Sequence, residues 1–165
     1  MSVVSLKDGK IKGWNEGDWG KSIAVDFTLE GTSPDDYDAL MLPGGVMNPD
    51  KLRNQVLAVE FAKSFTEAGK PIVAICLGPQ LLIETGWLRG KTLTSFPSLK
   101  TDLRNAGANW VDDEVVNQQG LVTSRKPGDI PAFNEEMIDL FASGSENRIC
   151  VGQYAKAEKS STTWR

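Results

Sequence analysis

Cys76 is the residue whose type and setting point most directly to chemistry, because it follows a short β-branched run. Residues 71–80 read P-I-V-A-I-C-L-G-P-Q, an order that predicts a buried strand turning sharply into a helix, with the cysteine on the turn. Free amides and the helix dipole at a helix start favour thiolate over thiol, so a cysteine there is a candidate nucleophile. The alternative is a small buried hydrophobic residue, which is the more common role of an isolated cysteine.

The loop before this segment supplies two further candidates. Pro43-Gly44-Gly45 ends a predicted, fully buried strand over Tyr37–Leu42, and two glycines let the backbone approach a ligand closely. A tight strand-to-helix connection explains the same glycines without any ligand. Asp50 lies in the first turn of a helix predicted from Asn48 to Gly69, where the helix dipole alone already favours a carboxylate.

Composition limits which chemistry is available. The chain has no histidine, which removes the usual general base and the commonest transition-metal ligand. We therefore expect no metal and no cofactor. The net charge of −4 argues against a nucleic-acid or anionic-membrane partner. Two cysteines form no disulfide framework, so we expect a reducing, cytoplasmic setting.

Strands and helices alternate along most of the 165 residues, which predicts one α/β domain with a mostly parallel sheet. At the N-terminus, Asp8-Gly9 predicts a hairpin between Val3–Leu6 and Lys10–Trp14, and Lys21–Leu29 predicts a strand with one buried face. The last predicted helix is Ile130–Ala142. We expect residues 1–144 to form the domain and residues 145–165 to form a polar, loosely held tail.

Several stretches resemble the DJ-1/PfpI (ThiJ) superfamily, and most closely its PfpI-like intracellular protease branch. They are Y-D-A-L-M-L-P-G-G, G-K-P-I-V-A-I-C-L-G-P-Q-L-L and L-R-G-K-T-L-T-S-F-P-S-L-K-T-D-L-R-N-A-G-A-N-W-V-D-D-E-V-V. The resemblance runs from about Val3 to about Phe141. It implies a flavodoxin-like three-layer α/β sandwich, similar to class I glutamine amidotransferases, and self-association as a dimer or hexamer.

The resemblance also implies a role for each candidate. Cys76 stands where the family has its nucleophile, and the amides of Gly45 and Leu77, beside Gly44, fall where an oxyanion would be held. Asp50 stands where PfpI-like proteases place a glutamate that reaches the active site of the neighbouring subunit. An aspartate keeps that charge and loses one methylene of reach.

The sequence departs from the family pattern at three places. Leu77 occupies the position of the histidine that follows the nucleophile in the protease-like members, so no Cys–His–acid relay forms. The chain begins at the family's second strand, which implies that the first strand and helix are lacking. Val3–Leu6 and Tyr37–Leu42 would then pair directly or leave a gap. The residues from Ser145 onward match nothing in the family.

Two functional hypotheses follow. The first is a PfpI-like cysteine hydrolase, of the intracellular peptidase or glyoxalase/deglycase type, acting on a peptide or a small carbonyl compound. Without histidine, its activity is expected to be well below that of relatives. The second is a non-catalytic, stress-associated or redox-sensing protein whose Cys76 is oxidised reversibly. A third possibility is a chain that folds poorly and does nothing.

Overall fold

The computed structural model describes residues 1–15 and 17–143. The predicted tail over residues 145–165 lies outside this part of the chain. The described residues form ten strands and five α-helices. The strands are β1 Val4–Ser5, β2 Lys10–Asn15, β3 Asp18–Ala24, β4 Phe27–Thr28, β5 Leu40–Leu42, β6 Ile72–Ile75, β7 Thr92–Leu93, β8 Asn109–Trp110, β9 Val115–Gln118 and β10 Leu121–Ser124. The helices are α1 Met47–Arg53, α2 Val56–Glu67, α3 Gln80–Glu84, α4 Lys100–Asn105 and α5 over residues 130–143.

The central sheet has the strand order β5-β6-β10-β9. β6 lies between β5 and β10 and is parallel to both, with Val73 opposite Met41 on one side and Val122 on the other. β9 is antiparallel to β10. Parallel strands need crossover connections, and the segments between β5, β6 and β10 supply them through α1 to α4. The carboxyl ends of β5, β6 and β10 therefore lie at one edge of the sheet.

Helices cover both faces of this sheet, and β6 shows how its sequence divides between them. Ile72 and Ala74 are fully buried in a cluster that also contains Phe65 of α2 and Leu82 of α3. Val73 is fully buried in a second cluster with Phe133 of α5. Successive strand residues point to opposite faces, so an unbroken apolar run is what a strand covered on both sides requires. The arrangement is a three-layer α/β sandwich.

The N-terminal part differs from the sequence prediction. β1 does not form a hairpin with β2 across Asp8-Gly9; it pairs in parallel with β4, and the hairpin is formed by β2 and β3. Cross-strand pairing explains this register, because Trp14 then lies opposite Trp19 and Ile11 opposite Ile23.

The strand predicted over Lys21–Leu29 ends at Ala24 and resumes as β4. Its predicted buried face is also wrong, because Ile23 and Phe27 are about half exposed. Neither face of this region packs against the main core clusters of the described residues.

The strand predicted over Tyr37–Leu42 forms only at Leu40–Leu42, and it is not fully buried, since Met41 is 43% exposed. β5 is an edge strand of the central sheet among the residues that the structure describes. β1 and β5 do not pair directly, and the pair β1–β4 forms a separate two-stranded sheet. Of the two outcomes expected for these segments, direct pairing is wrong.

The single helix predicted from Asn48 to Gly69 is two helices. α1 begins at Met47, so Asn48 lies inside it rather than at its N-cap. α1 ends at Arg53, and the next residue, Asn54, is its C-cap, whose side-chain amide donates to the carbonyl of Asp50 at 2.8 Å. Gln55 has an extended backbone before α2 begins. Asparagine competes for backbone hydrogen bonds and so ends a helix that apolar spacing alone would continue.

Candidate active site

Cys76 lies on the turn between β6 and α3 with a backbone φ of +62°. This left-handed conformation is strained for a side chain other than glycine and persists only where the surroundings enforce it. Two neighbouring segments do so. The Cys76 amide donates to the carbonyl of Ser124 at the end of β10 at 2.9 Å, and the Cys76 carbonyl accepts from the Phe96 amide at 2.9 Å. The thiol-bearing residue is held by its own backbone.

Two glycines permit this turn to pack against the neighbouring loop. A Cβ atom on Gly44 would lie 2.6 Å from the Cβ of Cys76 and 3.3 Å from its Sγ. A Cβ atom on Gly78 would lie 2.3 Å from the carbonyl oxygen of Leu42. Both distances are too short for any other residue without a backbone shift. The loop after β5 therefore lies directly against the cysteine, as the two glycines of Pro43-Gly44-Gly45 led us to expect.

The amides next to the thiol are available to a ligand. Within residues 1–15 and 17–143, neither the Gly45 amide nor the Leu77 amide donates a hydrogen bond to another protein group. The amides of Cys76 and Gly78 do so, to Ser124 and Ile75. Cys76 is itself only partly buried, and its sulfur has no hydrogen-bond partner in this part of the chain. A partly accessible thiol thus has free backbone donors on both flanking loops.

Asp50 stands apart from this arrangement within a single chain. It lies on α1 with an exposed side chain, and its carboxylate forms no hydrogen bond or ion pair with the described residues. Its neighbour Pro49 is buried, so α1 packs against the body of the protein while Asp50 faces outward. The structure brings together Cys76, Gly44, Gly45 and Leu77, and leaves the carboxylate of Asp50 without a partner among the described residues.

Leu77 itself is partly buried and packs against the larger apolar cluster. It fills the place directly after the thiol with a side chain that cannot exchange protons. No group of three or more histidine, cysteine or acidic residues in the described part of the chain is placed to hold a metal ion.

Glu84, four residues beyond Gln80 on α3, forms an ion pair with a residue of α1. Arg53 of α1 donates to one carboxylate oxygen of Glu84 on α3 through Nε at 2.8 Å and also through Nη2. The pair links the helix that carries Asp50 to the helix that follows the cysteine. The two residues are 31 positions apart, and no local pattern in the sequence marks them as partners.

A second ion-pair cluster, formed by Arg125, Asp112 and Asp129, follows the end of β10 and was not predicted from the sequence. Arg125 directly follows Ser124 and donates to Asp129 through Nε at 2.9 Å and Nη2 at 3.3 Å. Its Nη1 donates to Asp112 at 2.8 Å. These hydrogen bonds lower the pKa of Asp129, against a smaller opposing effect of burial, and raise the pKa of Arg125. An arginine four residues before an aspartate is the only sequence signal for this cluster.

These features define a class of protein: an α/β fold with a cysteine on a strand–turn–helix at the carboxyl edge of a mostly parallel sheet. The chain belongs to the DJ-1/PfpI family, whose pattern matches residues 1–140. It is 46% identical over 138 residues to a deglycase of Pyrococcus abyssi, covering 84% of this chain and 80% of that protein. It is 43% identical over 141 residues to general stress protein 18 of Bacillus subtilis, covering 85% of this chain and 80% of that protein.

A solved structure shares the fold as well. A two-domain protein of Anabaena variabilis with DJ-1/ThiJ/PfpI-like and ferritin-like domains superposes with a TM-score of 0.74 at 39% identity. The match covers 80% of this chain and 37% of that chain. The predicted resemblance and the predicted flavodoxin-like α/β fold are both confirmed. None of the described helices is both long and apolar enough to cross a membrane.

Proposed function

We propose that this protein is a cysteine hydrolase of the deglycase type, with Cys76 as the nucleophile on a nucleophile elbow. The observation that carries the proposal is the strained Cys76 turn, which has one unused backbone amide at Leu77 and another at Gly45 on the adjacent loop. The name of the Pyrococcus abyssi relative supports a small carbonyl compound as substrate. A peptide substrate is the competing outcome. The reducing setting that a free thiol needs points to the cytoplasm.

The chemistry begins with attack of the Cys76 thiolate on an electrophilic carbonyl carbon. The new C–S bond forms as the carbonyl π bond breaks, and the electron pair moves to the carbonyl oxygen. The amides of Gly45 and Leu77 would donate to this oxyanion, where negative charge develops. With an α-oxo aldehyde such as methylglyoxal, a proton then moves from the carbon bonded to sulfur to the adjacent ketone carbon, so that the first carbon is oxidised to a thioester and the second is reduced to an alcohol. Water adds to the thioester, the C–S bond breaks, and the thiol and a 2-hydroxy acid are released. The chain has no histidine to act as general acid or base, so we assign each proton transfer to water or a carboxylate.

Asp50 of a neighbouring copy is the carboxylate we propose for that task. Its side chain is exposed and unpaired within the described residues, and it sits on a helix tied to α3 by Arg53 and Glu84. Exposed apolar residues on the same loop and helix support self-association through this face: Val46 is 74% exposed and Met47 is 50% exposed. The proposed assembly is a dimer or hexamer in which one copy completes the site of another.

Turnover of methylglyoxal by the purified protein tests this proposal. Wild type should convert methylglyoxal, Cys76→Ala should lose nearly all of that activity, and Asp50→Asn should lose about tenfold or more, the contribution of a general base. Lys51→Gln, on the same exposed helix, is the matched control and should retain activity. Equal rates for wild type and Cys76→Ala would refute the enzyme. Cleavage of peptides without methylglyoxal turnover would favour the peptidase.

A second function is favoured by one observation: the only ionisable side chain at the turn is the thiol, with Leu77 in the place of a base. Reversible oxidation needs an accessible thiol and no general base. Under this alternative the protein is a redox-sensing, stress-associated relative. Mild peroxide followed by mass spectrometry should then modify Cys76 at sub-stoichiometric peroxide, and dithiothreitol should reverse it. An unmodified Cys76 would refute sensing.

A further inference from the structure

The strained backbone of Cys76 depends on the position of one carbonyl group. The Cys76 amide donates to Ser124, the last residue of β10. The Ser124 side chain is fully buried and donates to the carbonyl of Glu114 at 2.7 Å. If the end of β10 moved, Cys76 would lose the hydrogen bond that helps to hold its φ at +62°. Contacts that hold the end of β10 therefore affect the conformation of Cys76.

Arg125, which directly follows Ser124, adds side-chain contacts at this end of β10 to the backbone pairing of Ser124 with Ile75 and Val115. One guanidinium joins three segments that meet at this edge of the sheet: the end of β10, the loop between β8 and β9 through Asp112, and the Pro127–Asp129 turn through Asp129. Arg125 donates two parallel hydrogen bonds to the two carboxylate oxygens of Asp129, and we call this bidentate pair the fork. It is the most specific geometry between an arginine and a carboxylate. A lysine could not reproduce it.

The two carboxylates differ in environment. The side chain of Asp129 is 6% exposed, whereas that of Asp112 is 60% exposed. Burying an ion pair gains little stability compared with an apolar pair of the same shape, because desolvation offsets the attraction. A partly buried ion pair next to the residue that holds Cys76 is therefore better explained by the geometry it imposes than by stability alone.

We propose that Arg125 and Asp129 form a positioning pair for the nucleophile, acting on Cys76 through the Ser124 carbonyl. Neither residue contacts the thiol or a substrate in this role. The pair keeps the end of β10 in register with β6 so that Cys76 stays in its left-handed conformation with Sγ close to the Gly44 loop. The inference rests on the proposed nucleophilic role of Cys76 and assigns it a support outside the turn.

The rate of Cys76 alkylation by iodoacetamide, measured from pH 6 to 10, tests the pair without requiring any substrate turnover. The alkylated residue is identified by mass spectrometry. We expect Asp129→Asn to lower the rate at neutral pH by about tenfold, since a misplacement of around 1 Å has effects of that size or larger. Asp112→Asn removes the exposed partner and should change the rate less than twofold.

Two further variants keep the test decisive. Arg125→Lys retains the charge and loses the fork, so its rate should fall between wild type and Asp129→Asn; it serves if Asp129→Asn does not fold. Leu103→Ala, in the larger core cluster, lowers stability without removing a hydrogen bond of Arg125 or Asp129 and should leave the alkylation profile unchanged. Profiles of Asp129→Asn or Arg125→Lys that match wild type or Leu103→Ala would overturn the inference. A protein without turnover that still shows the expected alkylation series would refute the enzyme and retain the positioning pair.

Discussion

The Cys76 turn and the β2–β3 hairpin both reverse or redirect the chain sharply, and they are held in opposite ways. Around Cys76, backbone contacts to β5, β10 and the segment after β7 leave no space for a Cβ atom on Gly44 or Gly78. In the hairpin, Trp14 is 62% exposed and Trp19 is 52% exposed, and their rings meet edge to face with centroids 5.4 Å apart. The hairpin depends mainly on pairs between its own two strands.

The conformation of the hairpin is therefore determined by local contacts, whereas that of the Cys76 turn is determined by contacts with distant segments. The hairpin needs residues that are close in sequence, so cross-strand pairing alone fixes its register. The Cys76 turn is strained and exists only because distant segments hold it. Substitutions of similar size should therefore have large effects at the turn and small effects in the hairpin, and the two regions can be compared directly.

The largest effect is expected from adding one methyl group at the turn. Gly78→Ala places a Cβ 2.3 Å from the Leu42 carbonyl oxygen, so β5 or the turn must shift, and the free energy of unfolding should fall by about 3 kcal/mol. Gly13→Ala is the matched control in the hairpin, where nothing lies within 4 Å of the added atom. Urea unfolding should show its stability within about 0.5 kcal/mol of wild type. Equal losses for the two variants would contradict the comparison.

The next effect concerns pH, because the pKa of Asp129 is lowered in the folded state by Arg125. Unfolded Asp129 binds a proton at higher pH than folded Asp129 does. The extra free energy of unfolding that wild type has over Asp129→Asn should thus be complete above the pKa of Asp129 in the unfolded chain, about 4. It should decline as the pH falls through the lower pKa of Asp129 in the folded protein. Urea unfolding of both proteins at pH 7, 5 and 3 measures it. A constant difference across this range would show that the charge of Asp129 is not involved.

A smaller effect is expected from relieving the strain at the nucleophile. Because Cys76 has a φ of +62°, Cys76→Gly should be more stable than Cys76→Ala by about 1 kcal/mol, although both lose the thiol. Gln119→Gly, at a φ of +51° in the turn between β9 and β10, should gain a similar amount away from the site. Thermal melting followed by circular dichroism compares them. A Cys76→Gly protein no more stable than Cys76→Ala would argue against strain at this position.

The smallest effect is expected at the aromatic pair of the hairpin. Trp14→Ala should lower the free energy of unfolding by about 1 kcal/mol or less, and a double-mutant cycle with Trp19→Ala should give a coupling energy of about 0.5–1 kcal/mol. The alkylation rate of Cys76 should not change. A loss of thiol reactivity in Trp14→Ala would mean that the hairpin and the turn are coupled.

Sequence patterns predicted the strand–turn–helix at Cys76 because the apolar run, the glycine and the helix all lie within residues 71–86. The same patterns failed where the outcome depended on distant partners. Val3–Leu6 has no local signal that it pairs with β4 rather than with the next strand. The break at Asn54 was missed because the apolar spacing continues on both sides of it.

Within the site, the candidates close to the motif could be named from the sequence, whereas their supports could not. Gly44 and Gly45 were found through their place at a predicted strand end, and Leu77 through the resemblance to the family. Arg125 and Asp129 were not, because an ion pair four residues apart is ordinary on any surface and gains its meaning only from Ser124. The role of Asp50 rests on a second copy of the chain and stays a prediction.

The hydrogen bond from Cys76 to Ser124 has a consequence for protein synthesis. β10 follows Cys76 by about fifty residues, so a ribosome exposes the thiol well before it has made the strand that holds it. A chain arrested between the two carries the cysteine without its left-handed turn, because contacts between distant segments form late in folding. The reactivity that we propose for Cys76 therefore depends on residues that are synthesised after it, and a chain that stops before β10 lacks the hydrogen bond that holds the turn.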